Sequence, residues 1–379
     1  MEAKKTSLYS CHMAQGALMS PFGGFDMPIQ YCGIAEEHNA VRNACGVFDV
    51  SHMGEVIVNG QDATHFVNYI FSNDVIPAAP GQCLYGMMLN ENGGVVDDLL
   101  VYKFSEHKYL LVINASNIDK DEAWIQERMN DSNPDREDGM PFRVDIELVS
   151  DVVSEIAIQG PEAEKVVEEI LGIQCSDLKF YTFKEILLDG HNLLISRTGY
   201  TGEDGFEIYA EDKLIVDLWK RLMDSHCCEP CGLGCRDTLR FEVGLPLYGN
   251  ELTDEITPIE AGLSMFVKLD KAPFMGRDAV AKQKSEGPGR KVVGLELTDK
   301  AIPRHGYEVL NDADEVVGHV TTGYHSISLD KSIAMALVDI QYSAMGTPLK
   351  VRIRRKTFPC TVTGKKFYKK NYKKSSATL

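Results

Sequence analysis

The sequence predicts an α+β protein of two or three domains in which antiparallel strands dominate. At 379 residues, the chain is too long to fold around a single hydrophobic core. Residues 84–113 have the alternation and turns of a three-stranded meander, with helical spacing on either side. A change of composition after Lys282 separates a C-terminal segment of short apolar runs. These observations indicate mixed helix and sheet followed by an all-β domain.

The first predicted unit contains a helix, three strands and a second helix. Apolar side chains recur at helical spacing from Ala63 to Phe71. Asn114 or Ser116 can cap the second helix, which continues through Ile125. The three strands are predicted at residues 84–89, 95–104 and 109–113. This order of elements is typical of a compact α+β unit.

A second unit begins with a predicted strand at residues 154–158 and a helix that Gly160 and Pro161 open. Residues 285–289 (SEGPG) are polar and turn-rich, and they have the composition of a linker. The apolar runs beyond this linker are spaced like the strands of an all-β domain. They lie at residues 292–297, 316–321, 333–337 and 349–353.

Composition and charge exclude several classes of function. A net charge of -17 argues against nucleic-acid binding, which needs a basic surface. Residues 350–374 carry eleven basic residues and no acidic one, so this end is either a solvated face or a site for an acidic partner or polyanionic ligand tail. No apolar stretch is long enough to span a membrane. The start MEAKKTSLYS lacks a targeting pattern, and ten cysteines without one predict reduced thiols in the cytoplasm.

The first candidate for chemistry is the pair Asp97-Asp98, which follows the turn at Gly93 and Gly94. Adjacent residues of a strand point to opposite faces of its sheet. One carboxylate can therefore be solvated while the other points inward, where its charge is costly without a partner or a function. The alternative is a pair of turn-flanking acids.

The second candidate is residues 197–209 (RTGYTGEDGFEIY), where three glycines make a tight turn that lets backbone approach a flat ligand. Strand alternation resumes at Phe206 and places Glu207 and Tyr209 on one face. A carboxylate beside an aromatic ring is suited to a planar heterocycle, because the ring stacks and the acid accepts N–H bonds. A surface hairpin with a solvated Glu207 is the alternative.

The third candidate is residues 226–245, which contain four cysteines and then Arg236 and Arg240 one helical turn apart. These arginines suit a carboxylate ligand or a buried acid. The Gly232-Leu-Gly234 opening lacks the third glycine of a dinucleotide fingerprint, since residue 237 is Asp. Cys228-x-x-Cys231 has zinc-finger spacing, but no second pair lies at a usable distance, so no metal is expected. Thioredoxin-like redox chemistry is disfavoured for lack of the right context.

Taken together, these segments resemble the glycine cleavage system T-protein (aminomethyltransferase) family over almost the whole chain. The match rests on many separate motifs in the family's order, which makes it far more specific than any one of them. The motifs are residues 22–31 (FGGFDMPIQY), 37–42 (EHNAVR), 46–54 (GVFDVSHMG), 93–99, 199–205, 232–244, 247–249 and 257–262.

The resemblance implies a three-domain cloverleaf around a central channel. We expect a discontinuous folate-binding domain at residues 1–53 and 141–280, an inserted ferredoxin-like α+β domain at 54–140, and a C-terminal β-barrel domain with a basic tail at 281–379. It also implies the reaction: the one-carbon unit of the aminomethyl-lipoyl H-protein passes to tetrahydrofolate. The products are 5,10-methylenetetrahydrofolate, ammonia and the dihydrolipoyl H-protein. The expected partners are therefore the lipoylated H-protein and tetrahydrofolate.

Residue roles follow from the matching motifs. Asp97 falls on the family's catalytic aspartate, which would stabilise the cationic one-carbon unit or take a proton from the attacking amine. Glu207 matches the acid that contacts the pterin edge. The folate-binding residues implied in this way are Glu207, Arg236, Tyr372, Tyr200, Tyr85, Asn114 and Met53. Met265 stands where the family commonly has an aromatic residue, and the neighbouring Phe266 is expected to face elsewhere.

Three alternatives remain at this stage. A related tetrahydrofolate-dependent demethylase, acting on a small S- or N-methyl donor, would share the folate residues and differ only on the donor side. A non-enzymatic folate-binding relative that assists iron–sulfur assembly is disfavoured, because the chain lacks the Lys-Gly-Cys-Tyr-x-Gly-Gln-type motif of those proteins. A dinucleotide oxidoreductase is disfavoured by the missing glycine.

Overall fold

The computed structural model describes residues 3–134, 136 and 139–369. Three sheets with their own hydrophobic cores, and a small N-terminal hairpin, make up this part of the chain. The hairpin strands are β1 (Leu18–Phe22) and β2 (Phe25–Gln30). The glycines between them, Gly23 and Gly24, both have positive φ, which a tight turn requires.

The first unit is a six-stranded sheet in the order β10-β11-β12-β9-β3-β13. Helix α6 packs on β9 and β12 through Leu214, Leu218, Trp219 and Leu222, all nearly or fully buried. The strands are β3 (Gly46–Asp49), β9 (Ser154–Gln159), β10 (Phe183–Leu188), β11 (His191–Ser196), β12 (Gly205–Ala210) and β13 (Glu229–Pro230). The helices are α1 (Tyr9–Ala14), α2 (Ile34–Asn43), α5 (Ala163–Glu169), α6 (Asp212–Ser225) and α7 (Leu233–Glu242).

The second unit is the predicted meander extended to five strands, in the order β5-β6-β7-β4-β8. Its core fills the space between the sheet and two helices and includes Phe66, Val101 and Ile125. The strands are β4 (Gly54–Gly60), β5 (Gln82–Leu89), β6 (Val95–Ser105), β7 (Lys108–Ile113) and β8 (Val144–Leu148). The helices are α3 (Ala63–Ile70) and α4 (Ile118–Met129).

Strand β8 lies beyond residue 140, where the sequence places the end of this unit. It pairs antiparallel with β4 from Val56↔Leu148 to Gly60↔Val144. Its burial alternates, with Val144 and Ile146 facing the core. We therefore propose that the inserted domain continues to residue 148 before the chain returns to the first sheet at β9.

The third unit is a closed six-stranded barrel in the order β14-β17-β16-β15-β18-β19, and pairing of β14 with β19 completes it. Helix α8 (Arg277–Glu286) precedes it, and Gly287 follows the helix with φ 84°. The strands are β14 (Arg290–Leu297), β15 (Glu308–Leu310), β16 (Val316–Ser326), β17 (Lys331–Asp339), β18 (Pro348–Ile353) and β19 (Lys356–Thr363). The predicted α+β class and the C-terminal barrel are confirmed.

The three units meet at two buried clusters. Tyr102 of the insert and Tyr209 of the first sheet share a hydrogen bond of 3.0 Å between their hydroxyls. Met87 and Val95 of the insert pack with Phe241 of α7 and Met335 of the barrel. These contacts hold one face of β5 and β6 against the first sheet, and the candidate site is on that face.

Candidate active site

Asp97 lies on β6 and is fully buried. Its Oδ2 accepts the backbone N–H of Asn114 at 2.9 Å, and its Oδ1 accepts the side-chain amides of Asn114 at 2.9 Å and Asn117 at 2.7 Å. Three N–H donors are a large part of what a buried carboxylate needs in place of water. Asn117 reaches it from the 3₁₀ turn Ala115–Asn117, which connects β7 to α4.

The two acids of the pair point to opposite faces of the sheet, as the alternation predicts. Asp97 shares its face with Leu99 and Val101, which belong to the insert's own core. Asp98 shares the other face with Leu100, and both are partly exposed. Asp97 therefore points into the domain, and Asp98 points out of it.

Asp98 faces Tyr85 across the β5–β6 pair. The Tyr85 hydroxyl donates to Asp98 Oδ2 at 2.9 Å, and the Asn114 amide donates to Asp98 Oδ1 at 3.0 Å. Burial, and then the negative charge of Asp97, raise the pKa of Asp98 to about 7. Burial and the nearby Asp98 carboxylate also raise the pKa of Tyr85 well above its usual range. A carboxyl group that titrates near neutrality is suited to exchange protons or to respond to a developing charge.

Phe266 closes the site on the side of Tyr85. Its ring stands edge-on to the Tyr85 ring, with centroids 4.9 Å apart. The expectation that Phe266 faces elsewhere is therefore wrong. It lies in the 3₁₀ turn Ser264–Phe266, which aims it at β5 and leaves Met265 65% exposed. Phe266 supplies an aromatic neighbour that Met265 does not.

Glu207 lies on β12 and is 6% exposed. The Thr198 hydroxyl donates to it. Burial raises the pKa of Glu207, and the Thr198 hydrogen bond and the Arg236 charge oppose that rise. Glu207 and Tyr209 share a face, as predicted, and the Tyr209 hydroxyl shares a hydrogen bond with the Tyr102 hydroxyl of the insert.

The glycine-rich turn before Glu207 is filled by protein. A Cβ on Gly199 would lie 2.1 Å from Gln159 Oε1, and one on Gly205 would lie 2.3 Å from Gln159 Nε2. Gly202 has φ 83°, and a Cβ on it would lie 2.4 Å from Val243 Cγ1. Gln159 in turn donates to the Thr198 carbonyl at 3.0 Å. The glycines thus let Gln159 brace the loop that holds Glu207, and do not cradle a ligand directly.

The two arginines of α7 have different environments. Arg240 is fully buried and pairs with Asp237 at 2.7 Å and Glu251 at 2.9 Å. Arg236 stacks its guanidinium over the Tyr200 ring at 4.9 Å from the centroid. Its Nη1 is buried and meets no acceptor among the described residues. Arg240 is a structural ion pair, whereas Arg236 has a buried donor available for a ligand.

His52 and Glu155 lie near Arg236, and Glu55 lies near Glu155; none of the three belongs to the residues predicted from the sequence. Four of their polar atoms are buried without hydrogen-bond partners in the described parts of the chain: His52 Nδ1, both carboxyl oxygens of Glu55, and Glu155 Oε2. Burial lowers the pKa of His52 to about 4, and the Arg236 charge adds to this. Burial raises the pKa of Glu55 to about 8. For Glu155, the sequence signal is an acid followed by three apolar residues in the predicted strand at residues 154–158.

Met53 is half-buried where the first sheet meets the insert, and it packs on the cores of both. Asn114 bridges Asp97 and Asp98 as described above. Tyr200 donates its hydroxyl to the carbonyl of Pro246. Tyr372 lies outside the described residues. The structure thus brings Tyr85, Asn114 and Asp98 together on the insert, and Glu207, Arg236 and Tyr200 together on the first unit.

The cysteine-rich segment is packed into the first unit. Cys231 and Cys235 lie within 4.8 Å of a Glu37 oxygen, and all three residues are buried. Glu37, however, accepts three backbone N–H groups, from Tyr31, Gly33 and Gly232. A Cβ on Gly232 would lie 2.2 Å from the Ile29 carbonyl oxygen, so α7 packs closely against β2. The Gly-x-Gly opening serves helix packing.

With this geometry in place, comparison with known proteins defines the class: a three-unit protein made of a GCVT N-terminal region and a C-terminal barrel. The family model described as the GCVT N-terminal domain matches residues 8–271. The model described as the glycine cleavage T-protein C-terminal barrel domain matches residues 290–369. The chain belongs to the glycine cleavage T-protein family.

Individual relatives agree over nearly the full length. The chain is 49% identical over 375 residues to the aminomethyltransferase of Caldanaerobacter subterraneus subsp. tengcongensis, covering 98% of this chain and 97% of the relative. It is 48% identical over 377 residues to the aminomethyltransferase of Alkaliphilus oremlandii, covering 98% and 100%. The crystal structure of glycine cleavage system aminomethyltransferase T from Bartonella henselae superimposes with a TM-score of 0.90 at 32% identity, covering 98% of this chain and 99% of that one.

Among the helices of the described residues, none is both long and apolar enough to cross a membrane.

Proposed function

We propose that the protein is a tetrahydrofolate-dependent aminomethyltransferase of the glycine cleavage system. In this reaction the aminomethyl carbon on the lipoyl sulfur of the H-protein passes to tetrahydrofolate. The C–S bond and the C–NH₂ bond break, and two C–N bonds to the folate form. The products are 5,10-methylenetetrahydrofolate, ammonia and the dihydrolipoyl H-protein. The names of the relatives support this function over the demethylase alternative.

The observation that carries the proposal is the set of unpartnered buried groups around Arg236 and Glu207. Buried donors and acceptors in a folded protein are normally satisfied, so a cluster of exceptions indicates a ligand. Arg236 Nη1, His52 Nδ1 and Glu155 Oε2 offer one donor, one ring nitrogen and one acceptor. A pterin presents both N–H donors and acceptors along its edge, and it fits this mixed set.

In the proposed complex, Glu207 accepts N–H bonds from the pterin edge and Arg236 donates to an acceptor of the folate. Tyr200 and Tyr85 border the ring, and Asn114 and Met53 complete the wall. Thr198 and Gln159 hold Glu207 in place through the contacts described above. Tyr372 remains a predicted contact from the C-terminal tail.

The chemistry needs a negative charge beside the transferred carbon. When the carbon leaves sulfur it carries iminium character, and a fixed carboxylate stabilises that positive charge. The resemblance assigns this role to Asp97. Asp97 points into the insert, whereas Asp98 points towards Tyr85. We therefore propose that Asp98 faces the reacting carbon and that Asp97 holds Asn114, which donates to Asp98. Asp98 would also accept a proton from the attacking amine.

The proposed partner is the lipoylated H-protein, and the proposed compartment is the reducing cytoplasm. All ten cysteines are free thiols. Cys45 and Cys228 remain unbonded although their sulfurs are 3.3 Å apart. We also keep the prediction that catalysis needs no metal.

A reconstituted transfer assay tests the proposal. Purified protein is mixed with aminomethyl-loaded lipoyl H-protein, and ammonia release is measured with and without tetrahydrofolate. Rapid release only in the presence of tetrahydrofolate supports the function. Inertness with this donor, together with methyl transfer from a small S- or N-methyl compound, would establish the demethylase instead.

A further inference from the structure

Asp121 is a third carboxyl group beside the Asp97–Asp98 pair, and no role for it follows from the sequence motifs. It lies in the first turns of α4, four residues after Asn117, so the two side chains share a helix face. Asn117 donates to Asp97 at 2.7 Å. Asp121 is fully buried, and its side chain is within hydrogen-bond reach of Asp97.

The surroundings of Asp121 do not suit a charged carboxylate. Neither of its oxygens accepts a hydrogen bond from any donor among the described residues. The nearest cation, Lys120, is 3.8 Å from Oδ1. The Lys120 ammonium instead donates hydrogen bonds to the Val96 carbonyl and, at 2.8 Å, to the Tyr248 hydroxyl. A buried carboxylate with no donor is unfavourable, whereas a protonated carboxyl group has an O–H to donate.

Among the described residues, the titratable groups that face Asp121 include Asp97, Asp98, Lys120 and Tyr248. Burial first, and then the charge of Asp97, raise the pKa of Asp121 to about 11, against the smaller effect of Lys120. Two carboxyl groups in hydrogen-bond contact share one proton, because both cannot ionise at short range. Asp97 accepts three N–H bonds, whereas Asp121 accepts none from the described residues. The proton therefore belongs to Asp121.

We propose that Asp121 is a positioning residue that stays protonated and donates its O–H to Asp97. This contact fixes Asp97 as the acceptor for Asn114, and Asn114 in turn holds Asp98 towards Tyr85. A neutral Asp121 also keeps a third negative charge out of the site. The inference rests on the proposed function only for its effect on turnover; the protonation state stands independently.

Two substitutions separate a protonated acid from an ionised one. Asp121→Asn replaces the O–H donor with an N–H donor of nearly the same shape, whereas Asp121→Ala removes the donor. We expect Asp121→Ala to lower turnover about tenfold or more, the effect of losing one hydrogen bond to a charged group. Asp121→Asn should recover most of that loss. An Asp121→Asn enzyme as impaired as Asp121→Ala, or an unimpaired Asp121→Ala, would overturn the positioning role.

Infrared difference spectroscopy tests the proton itself and needs no activity. At about pH 8, where an ordinary Asp is ionised, the wild type minus Asp121→Asn spectrum should contain the C=O stretch of a protonated carboxylic acid. Loss of carboxylate bands instead would overturn the proposal. Asp119→Asn, at an exposed position of the same helix, is the control and should remove only carboxylate bands. If the transfer assay fails while the protonated band is present, the proposed function fails and the protonation stands.

Discussion

The two buried acidic clusters of this protein differ in how well they are satisfied. On the insert, Asp97 accepts three N–H bonds and Asp98 accepts a tyrosine hydroxyl and an amide. On the first unit, Glu155 keeps an unpartnered oxygen beside an unpartnered donor of Arg236. The Asp97–Asp98 pair is thus already organised to hold a charge, even though Asp121 beside it accepts no hydrogen bond from the described residues. The other cluster is organised to receive polar atoms from a ligand.

This contrast divides the work of the site between the two units. The preorganised cluster belongs next to the reacting carbon, because fixed charge acts on a transition state without reorganising. In the proposed complex the unsatisfied cluster lies next to the pterin, whose polar atoms would satisfy it. Each prediction below tests one side of this division.

The largest expected effect is that of Asp98→Asn on turnover. Removing the charge that faces the transferred carbon should lower kcat by about 10²-fold or more, the usual loss for one fixed electrostatic group. Folate affinity should stay within a few-fold, since the proposed polar contacts to the pterin edge, Glu207 and Arg236, lie on the other unit. Single-turnover ammonia release and calorimetry measure the two quantities.

Asp97→Asn is the matched comparison, because it changes the adjacent residue on the opposite face. An amide at this position turns an acceptor into a donor against Asn114 and Asn117. It should therefore lower the free energy of unfolding by about 2 kcal/mol, measured in urea. If Asp97→Asn leaves stability unchanged and abolishes turnover while Asp98→Asn remains active, the roles of the two acids are reversed.

Next in size is the effect of Glu207→Gln on folate binding. The amide cannot accept both N–H groups of the pterin edge, so affinity for tetrahydrofolate should fall about tenfold to a hundredfold. Glu185→Gln, at an exposed position of β10, is the control and should bind normally. Unchanged affinity of Glu207→Gln by calorimetry would remove Glu207 from the pterin site.

The pH dependence of turnover tests the charge on Asp98. Its pKa is raised to about 7, so the active carboxylate is lost as pH falls through that value. Turnover should fall by up to tenfold per pH unit below about 7. The Asp98→Asn enzyme should not show this decrease at low pH. The folded protein holds this proton more tightly than the unfolded chain does. The contribution of Asp98 to stability is therefore greatest below about pH 4 and is lost as pH rises to about 7.

The sequence predicts the parts of this site that depend on local periodicity. The two-residue repeat of a strand places Asp97 and Asp98 on opposite faces. The same repeat places Glu207 and Tyr209 on one face. Which acid of the pair faces the insert's core does not follow from periodicity, because apolar residues continue both faces. Leu99 and Val101 lie on the side of Asp97, and Leu100 and Tyr102 lie on the side of Asp98.

Other features depend on pairing between distant segments, which periodicity does not determine. The alternating pattern of residues 144–148 (VDIEL) is visible, yet only the pairing with β4 shows that this strand completes the insert. His52 and Glu155 come from a turn and a separate strand, and their approach to Arg236 is a property of the fold. A single 3₁₀ turn, such as the one that carries Phe266, is too short to have a period.

The smallest predicted effect concerns that turn and the aromatic wall. The edge-on contact of Phe266 with Tyr85 positions the ring whose hydroxyl donates to Asp98. Phe266→Leu should lower turnover about threefold to tenfold, the loss expected for one aromatic pair, because Tyr85 then holds Asp98 less firmly. Met265→Leu changes a side chain that is 65% exposed and should have no effect. If Met265→Leu had the larger effect, Met265 would be the ligand-facing residue of this turn, and the aromatic wall of the preorganised cluster would have to come from elsewhere.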